Sequence, residues 1–185
     1  MFFKFIPNVI SAIRIALVLP ILLMIKNGNF DFAIGLFLLA GLSDIIDGYL
    51  AKQFNWHTRL GALLDPVADK LLVASLFIIL AYSEHIPLWL AIAVILRDVL
   101  IILGAIAYNF LVGPVQGEPT RVSKINTALQ LLFLLFALSR AGFGWPNDVL
   151  LTIMSVVVLA TVIISGIDYI WSWSRDVCKK IHNFD

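Results

Sequence analysis

A single cysteine, Cys178, rules out an intramolecular disulfide and any four-cysteine metal site. Charge is almost as scarce. Asp, Glu, Lys and Arg make up 14% of the chain, where soluble domains carry roughly 25%. The signs nearly cancel, to a net +1, which removes the basic footprint of a nucleic-acid binder. No internal repeat, low-complexity tract or polar stretch long enough for a soluble domain interrupts the sequence. The apolar segment after Lys4 lacks the marks of a cleaved signal. Arg14 interrupts it, Pro20 follows and no small-residue cleavage site is evident, so it is expected to be a retained span.

What is abundant is hydrocarbon: 61% of the 185 residues are hydrophobic. A spanning helix needs roughly 20 mostly apolar residues. Six such stretches are predicted, over Pro7–Ile25, Phe32–Lys52, Arg59–Tyr82, Pro87–Phe110, Val122–Leu138 and Val149–Trp173. The expected fold is all-α: a polytopic integral membrane protein of six transmembrane helices, forming one domain over 1–185. Lys26-Asn-Gly-Asn29, Ser83-Glu-His-Ile-Pro87 and Gly142-Phe-Gly-Trp-Pro146 carry turn chemistry between spans. Phe2, Phe3 and Phe5 around Lys4 suggest a short surface element, and the tryptophans, Trp171 and Trp173 among them, suit interfacial belts.

Basic residues set the expected orientation. Lys4, Lys52, Arg59, Arg121, Lys124, Arg175, Lys179 and Lys180 fall on one side, and Lys26 and Arg140 on the other. Positive-inside asymmetry then puts both termini on the cytoplasmic face of a bacterial inner membrane, or the matrix face of a mitochondrial one.

Four aspartates stand out against this background: Asp44 and Asp47 in the second span, Asp65 and Asp69 in the third. A charge at membrane depth costs roughly 2.5–3.5 kcal/mol on insertion scales, and four like charges repel. Neighbours three or four apart share a helix face, and the short connection Gln53–Thr58 makes the two helices antiparallel partners. The carboxylates therefore meet at similar depth, within a few turns of that connection. Such a cluster needs a positive partner. Oxygen-only ligands suit Mg²⁺, Mn²⁺ or Ca²⁺, and four carboxylates have the capacity for two ions bridging a phosphate. Gly48 and Gly61 leave room for a ligand to approach the backbone, and Pro66, between Asp65 and Asp69, removes a helical hydrogen bond in the third span.

These residues also carry a resemblance. Asp44-x-x-Asp47-Gly48-x-x-Ala51-Lys52 followed by Gly61-x-x-x-Asp65-x-x-x-Asp69 resembles the signature of the CDP-alcohol phosphatidyltransferases, which usually has Arg where this chain has Lys52. The resemblance implies a magnesium- or manganese-dependent enzyme with two ions. It implies that Asp44, Asp47 and Asp65 hold metal, and that Asp69 borders the metals and is the general base. It further implies that Asp44, Gly48, Ala51, Lys52, Arg59 and Gly61 bind the CDP moiety of CDP-diacylglycerol, in an enzyme that works as a homodimer.

The acceptor alcohol rests on fewer residues. Arg97 and Lys124 are candidate contacts for its phosphate, joined by Asn8 and Arg14 in an Asn8-x-x-Ser11-x-x-Arg14 segment like that of related synthases. The stretches Arg97-Asp-Val99 and Ser123-Lys-Ile-Asn-Thr-Ala-Leu-Gln130 are most similar to eukaryotic-type cardiolipin synthases, implying phosphatidylglycerol as acceptor, with cardiolipin and CMP as products. Phosphatidylglycerolphosphate synthases typically carry a second lysine where this chain has Asn126. One lysine fewer favours a singly charged diester over glycerol 3-phosphate, which stays open as the alternative acceptor. None of His57, His85 or His182 begins the His-x-Lys-x-x-x-x-Asp stretch of a phospholipase-D type synthase. A non-enzymatic divalent-cation transporter is the distant alternative. It is disfavoured by acids displaced toward one face and by the absence of an inverted repeat.

Overall fold

The computed structural model describes residues 6–54, 61–111 and 120–182. Within them the chain forms six helices and no strand: α1 (Ile6–Lys26), α2 (Phe30–Phe54), α3 (Gly61–Tyr82), α4 (Leu88–Leu111), α5 (Arg121–Phe143) and α6 (Asp148–His182). Every expected span is a helix. The largest difference is at α6, which continues to His182 rather than ending near Trp173. No proline or glycine follows Gly166 to stop it, so charged residues extend the helix beyond its apolar stretch.

Turn chemistry ends the helices where the sequence placed it. Gly28 has φ +75. Its N–H bonds Ile25 O at 3.0 Å, and that of Asn29 bonds Met24 O at 2.9 Å, closing the last turn of α1 with a left-handed residue. The α3 end repeats the device with Glu84 at φ 59, His85 N reaching Leu80 O at 2.9 Å. At the start of α5, Thr120 Oγ1 accepts from Ser123 N at 3.2 Å as an N-cap.

The surface is apolar in a way a water-soluble domain avoids. Large side chains such as Leu19, Phe32, Leu100, Phe110, Ile153 and Trp171 are exposed. Among the described residues, four helices have stretches long and apolar enough to cross a membrane: Val9–Lys26, Leu88–Phe110, Arg121–Phe143 and Asp148–Trp171. This is an integral membrane protein.

The chain divides into two compact units. The first comprises Met1–Leu88 and Leu134–Asn147, the second Trp89–Phe133 and Asp148–Asp185. In the first, α1 packs on both α2 and α3. Its buried stripe is Ser11, Arg14, Val18, Ile21 and Ile25, spaced three or four apart. The α2 stripe is Ala33, Phe37 and Ala40, and its next position is Asp44; α3 contributes Ala68, Leu72, Leu76 and Leu80. Small residues on these stripes let backbones approach closely, which helix association in lipid relies on. Close approach is tightest at Gly142, where an added Cβ would stand 3.0 Å from Phe30 Cβ. In the second unit the stripes are Leu90, Val94 and Arg97 on α4; Ser123, Asn126, Gln130 and Phe133 on α5; and Leu151, Ser155, Val158, Val162 and Ser165 on α6.

Candidate functional site

In the first unit the stripes of α1, α2 and α3 turn from apolar to charged. Arg14 lies about two turns from the start of α1, and Asp69 about two turns from the start of α3. Asp44 lies about three turns before the end of α2, which runs the other way. Arg14 Nη1 stands 2.6 Å from Asp44 Oδ1 and 3.7 Å from Asp69 Oδ1. The guanidinium is 1% exposed, whereas the two carboxylates are 45% and 37% exposed. The cation is thus the floor of the site and the acids its open rim. Carboxylates from two helices thus converge on one guanidinium. Arg14 does not snorkel to the interface; its buried position answers the repulsion between the acids.

Asp47 and Asp65 lie on the same two helices, but side chains at 47–52 and 61–66 lie outside the described residues. That covers Asp47, Gly48, Ala51, Lys52, Gly61 and Asp65. Residues 55–60, with Arg59 and His57, are outside as well, as are residues 1–5 and the side chain of Asn8. Ser11, one turn before Arg14, is fully buried on the same stripe.

The second unit holds a separate polar cluster. Arg97 Nη1 donates to Asp98 Oδ1 at 2.7 Å, and Nη2 donates to Ser123 Oγ at 2.9 Å and to Ser165 Oγ. The Tyr169 ring centroid lies 5.7 Å from the guanidinium carbon. All three helices of the cluster meet at this arginine. Asp98 neutralises its charge, which makes burial of both groups tolerable. Lys124, adjacent to Ser123, is exposed. Asn126 is fully buried and its Oδ1 accepts from Thr161 Oγ1 at 3.0 Å.

Sequence reasoning named Arg97 as a contact for the acceptor's phosphate and missed Ser165, Thr161 and Tyr169. The signal was the register of α6: Ser155, Val158, Val162 and Ser165 form one stripe, and an interior serine in an apolar span has to find a partner. It also missed the partner of Arg14, although two residues at like depth on adjacent helices were readable.

The pattern of the CDP-alcohol phosphatidyltransferases matches residues 4–172. The chain belongs to the CDP-alcohol phosphatidyltransferase family. It is 33% identical over 180 residues to a human cardiolipin synthase (CMP-forming), covering 89% of this chain and 60% of that protein. A Streptomyces coelicolor cardiolipin synthase (CMP-forming) is 36% identical over 148 residues, covering 76% of this chain and 67% of the other. A CDP-diacylglycerol–glycerol-3-phosphate 3-phosphatidyltransferase of Aquifex aeolicus is 30% identical over 185 residues, covering 95% and 99%. The chain therefore spans about 60% of the length of the human and rat relatives it matches.

Proposed function

We propose that this protein transfers a phosphatidyl group from CDP-diacylglycerol to phosphatidylglycerol, forming cardiolipin and releasing CMP. The observation that carries the reading is the convergence of Asp44 and Asp69 on the Arg14 cation, inside a signature shared with a family of phosphatidyltransferases. The donor set is purely carboxylate, so it fits Mg²⁺ or Mn²⁺ held by Asp44, Asp47, Asp65 and Asp69. Such ions would neutralise pyrophosphate charge and stabilise CMP as a leaving group.

The protein's own residues divide the remaining work. Asp69 accepts the proton of the acceptor hydroxyl as its oxygen bonds to the lipid-side phosphorus of the donor, while the bond from that phosphorus to CMP breaks. Arg14 balances the acids before the donor arrives. Gly48, Ala51, Lys52, Arg59 and Gly61 bind CDP in this reading; Lys124 and Arg97 bind the acceptor's phosphate. All six helices span the membrane, with both termini on the cytoplasmic or matrix side, and the enzyme is a homodimer.

A second acceptor, glycerol 3-phosphate, is favoured by the Aquifex relative, whose length the chain matches almost completely. One assay separates them. Purified protein receives radiolabelled CDP-diacylglycerol and Mg²⁺ with each acceptor in turn. Cardiolipin and CMP are expected with phosphatidylglycerol. Product formed only with glycerol 3-phosphate would replace this reading by the second.

A further inference from the structure

Arg14 and Arg97 are both buried beside aspartates, but the two arrangements are built differently. Arg97 and Asp98 are buried together, so that pair is closed. Arg14 is 1% exposed, while Asp44 and Asp69 remain 45% and 37% exposed. Its Nη1 stands 2.6 Å from the first and 3.7 Å from the second, so one guanidinium serves two acids that stay open to a further cation. We infer that Arg14 is a fixed counter-charge: it weakens the hold of the site on divalent ions and strengthens the hold of the ion-loaded site on an anionic diphosphate ligand. The inference rests on the metal-dependent reading above and names how that same site is tuned.

Packing does not call for an arginine at this position. Arg14 continues the stripe of Val18 and Ile21, both buried hydrocarbon. An apolar side chain of similar length would fill the place without the desolvation cost of a buried ion. What the arginine adds is charge, and its depth fixes how that charge acts. An anion entering by the open rim meets the carboxylates first, with the guanidinium behind them. Arg14 therefore acts through its field rather than by contact. Like charges a few ångströms apart repel strongly where water is partly excluded. A divalent ion on Asp44 or Asp69 sits close to a resident cation and binds less tightly than the acids alone would allow. For an anion the sign reverses. Two divalent ions would only neutralise Asp44, Asp47, Asp65 and Asp69, so the charge that Arg14 adds leaves the loaded site positive toward a diphosphate.

The full chain in phosphatidylcholine nanodiscs tests this without turnover. Mn²⁺ affinity is read from the electron paramagnetic resonance of free Mn²⁺, and CDP affinity at saturating Mn²⁺ by calorimetry. Arg14→Met should bind Mn²⁺ about tenfold more tightly and CDP about tenfold more weakly, the scale of one unit charge a few ångströms away in a partly hydrated site. Arg14→Gln, neutral but still a hydrogen-bond donor, should show the same split and carries the test if Arg14→Met does not fold. Arg14→Lys keeps the charge and should leave both affinities near those of wild type. A merely structural role moves both affinities the same way, because a distorted site loses metal and ligand together. Affinities that fall together, or either one unmoved, would overturn the inference, as would an Arg14→Lys protein that behaves like Arg14→Met. If wild type binds neither Mn²⁺ nor CDP, the metal-dependent reading fails and this inference falls with it. If wild type binds both and the split is missing, the inference alone fails.

Discussion

Arg14 on α1 places Nη1 2.6 Å from Asp44 Oδ1 on α2, and the arginine is the buried partner of the two. A guanidinium at the floor of an acidic site changes how that site is stabilised. It favours assembly of the helices, because the carboxylates face a charge they would otherwise lack. In the proposed reading, divalent ions and Arg14 would share the same acids.

Arg14→Met should therefore lower the melting temperature of the metal-free protein. Removing one partner of a buried pair is costly, but Asp44 and Asp69 are more than a third exposed, so solvent screens much of it. A fall of about 3–6 °C is expected, equivalent to one or two kcal/mol in a chain of this size. Added Mg²⁺ should narrow the deficit. A deficit of the same size with EDTA and with saturating Mg²⁺ would count against a shared role.

Asp44→Asn, Asp47→Asn and Asp65→Asn should each abolish transfer and leave a folded protein in detergent. A hard-cation site that loses one anionic ligand binds metal weakly, while the helix stripes keep their apolar packing. The check is CMP release beside a melting curve; full activity in all three would end the metal assignment.

Asp69→Asn should lower kcat by roughly 10²–10⁴, the usual contribution of a general base, with little change in donor KM. Metal affinity is to be measured alongside. Recovery of the full rate at high Mg²⁺ would show that Asp69 serves only as a ligand.

Lys124→Ala should raise acceptor KM and leave the melting temperature alone, because Lys124 is exposed. Arg97→Ala should do both. It removes the ion pair of Arg97 with the buried Asp98 and the bonds to two serine hydroxyls, so a loss of about 3–5 kcal/mol is expected. Arg97→Met with Asp98→Leu should restore much of the stability while acceptor KM stays high. A normal acceptor KM in that double variant would make the pair purely structural.

Asn126→Lys tests the acceptor through charge, and the fold now qualifies it. Asn126 is fully buried and bonded to Thr161. A lysine there buries an ammonium at a cost of several kcal/mol. The variant should unfold at lower temperature, and any gain with glycerol 3-phosphate should appear only in the fraction that remains folded.

Much of this was legible in one dimension. Apolar runs longer than a bilayer is thick announced helices, and Lys26-Asn-Gly-Asn29 announced the turn that Gly28 makes. Asp44 and Asp69 identified themselves because a carboxylate in an apolar span needs a reason to be there. Spacing by three and four also predicted which residues share a face. Such inferences hold because helical periodicity is local: it depends on neighbours in the chain.

Partnerships across helices depend on rotation and depth, which no local pattern specifies. The meeting of Arg14 with Asp44 and Asp69, the engagement of Arg97 by Ser123 and Ser165, and the burial of Asn126 against Thr161 were decided by packing. By itself the sequence determined a helical membrane protein with an acidic site and its family signature. The tertiary structure decided which cation those acids face and which polar groups lie buried. The reason is physical: in lipid a charged or hydrogen-bonding group needs a partner from another helix, and only three-dimensional packing selects it.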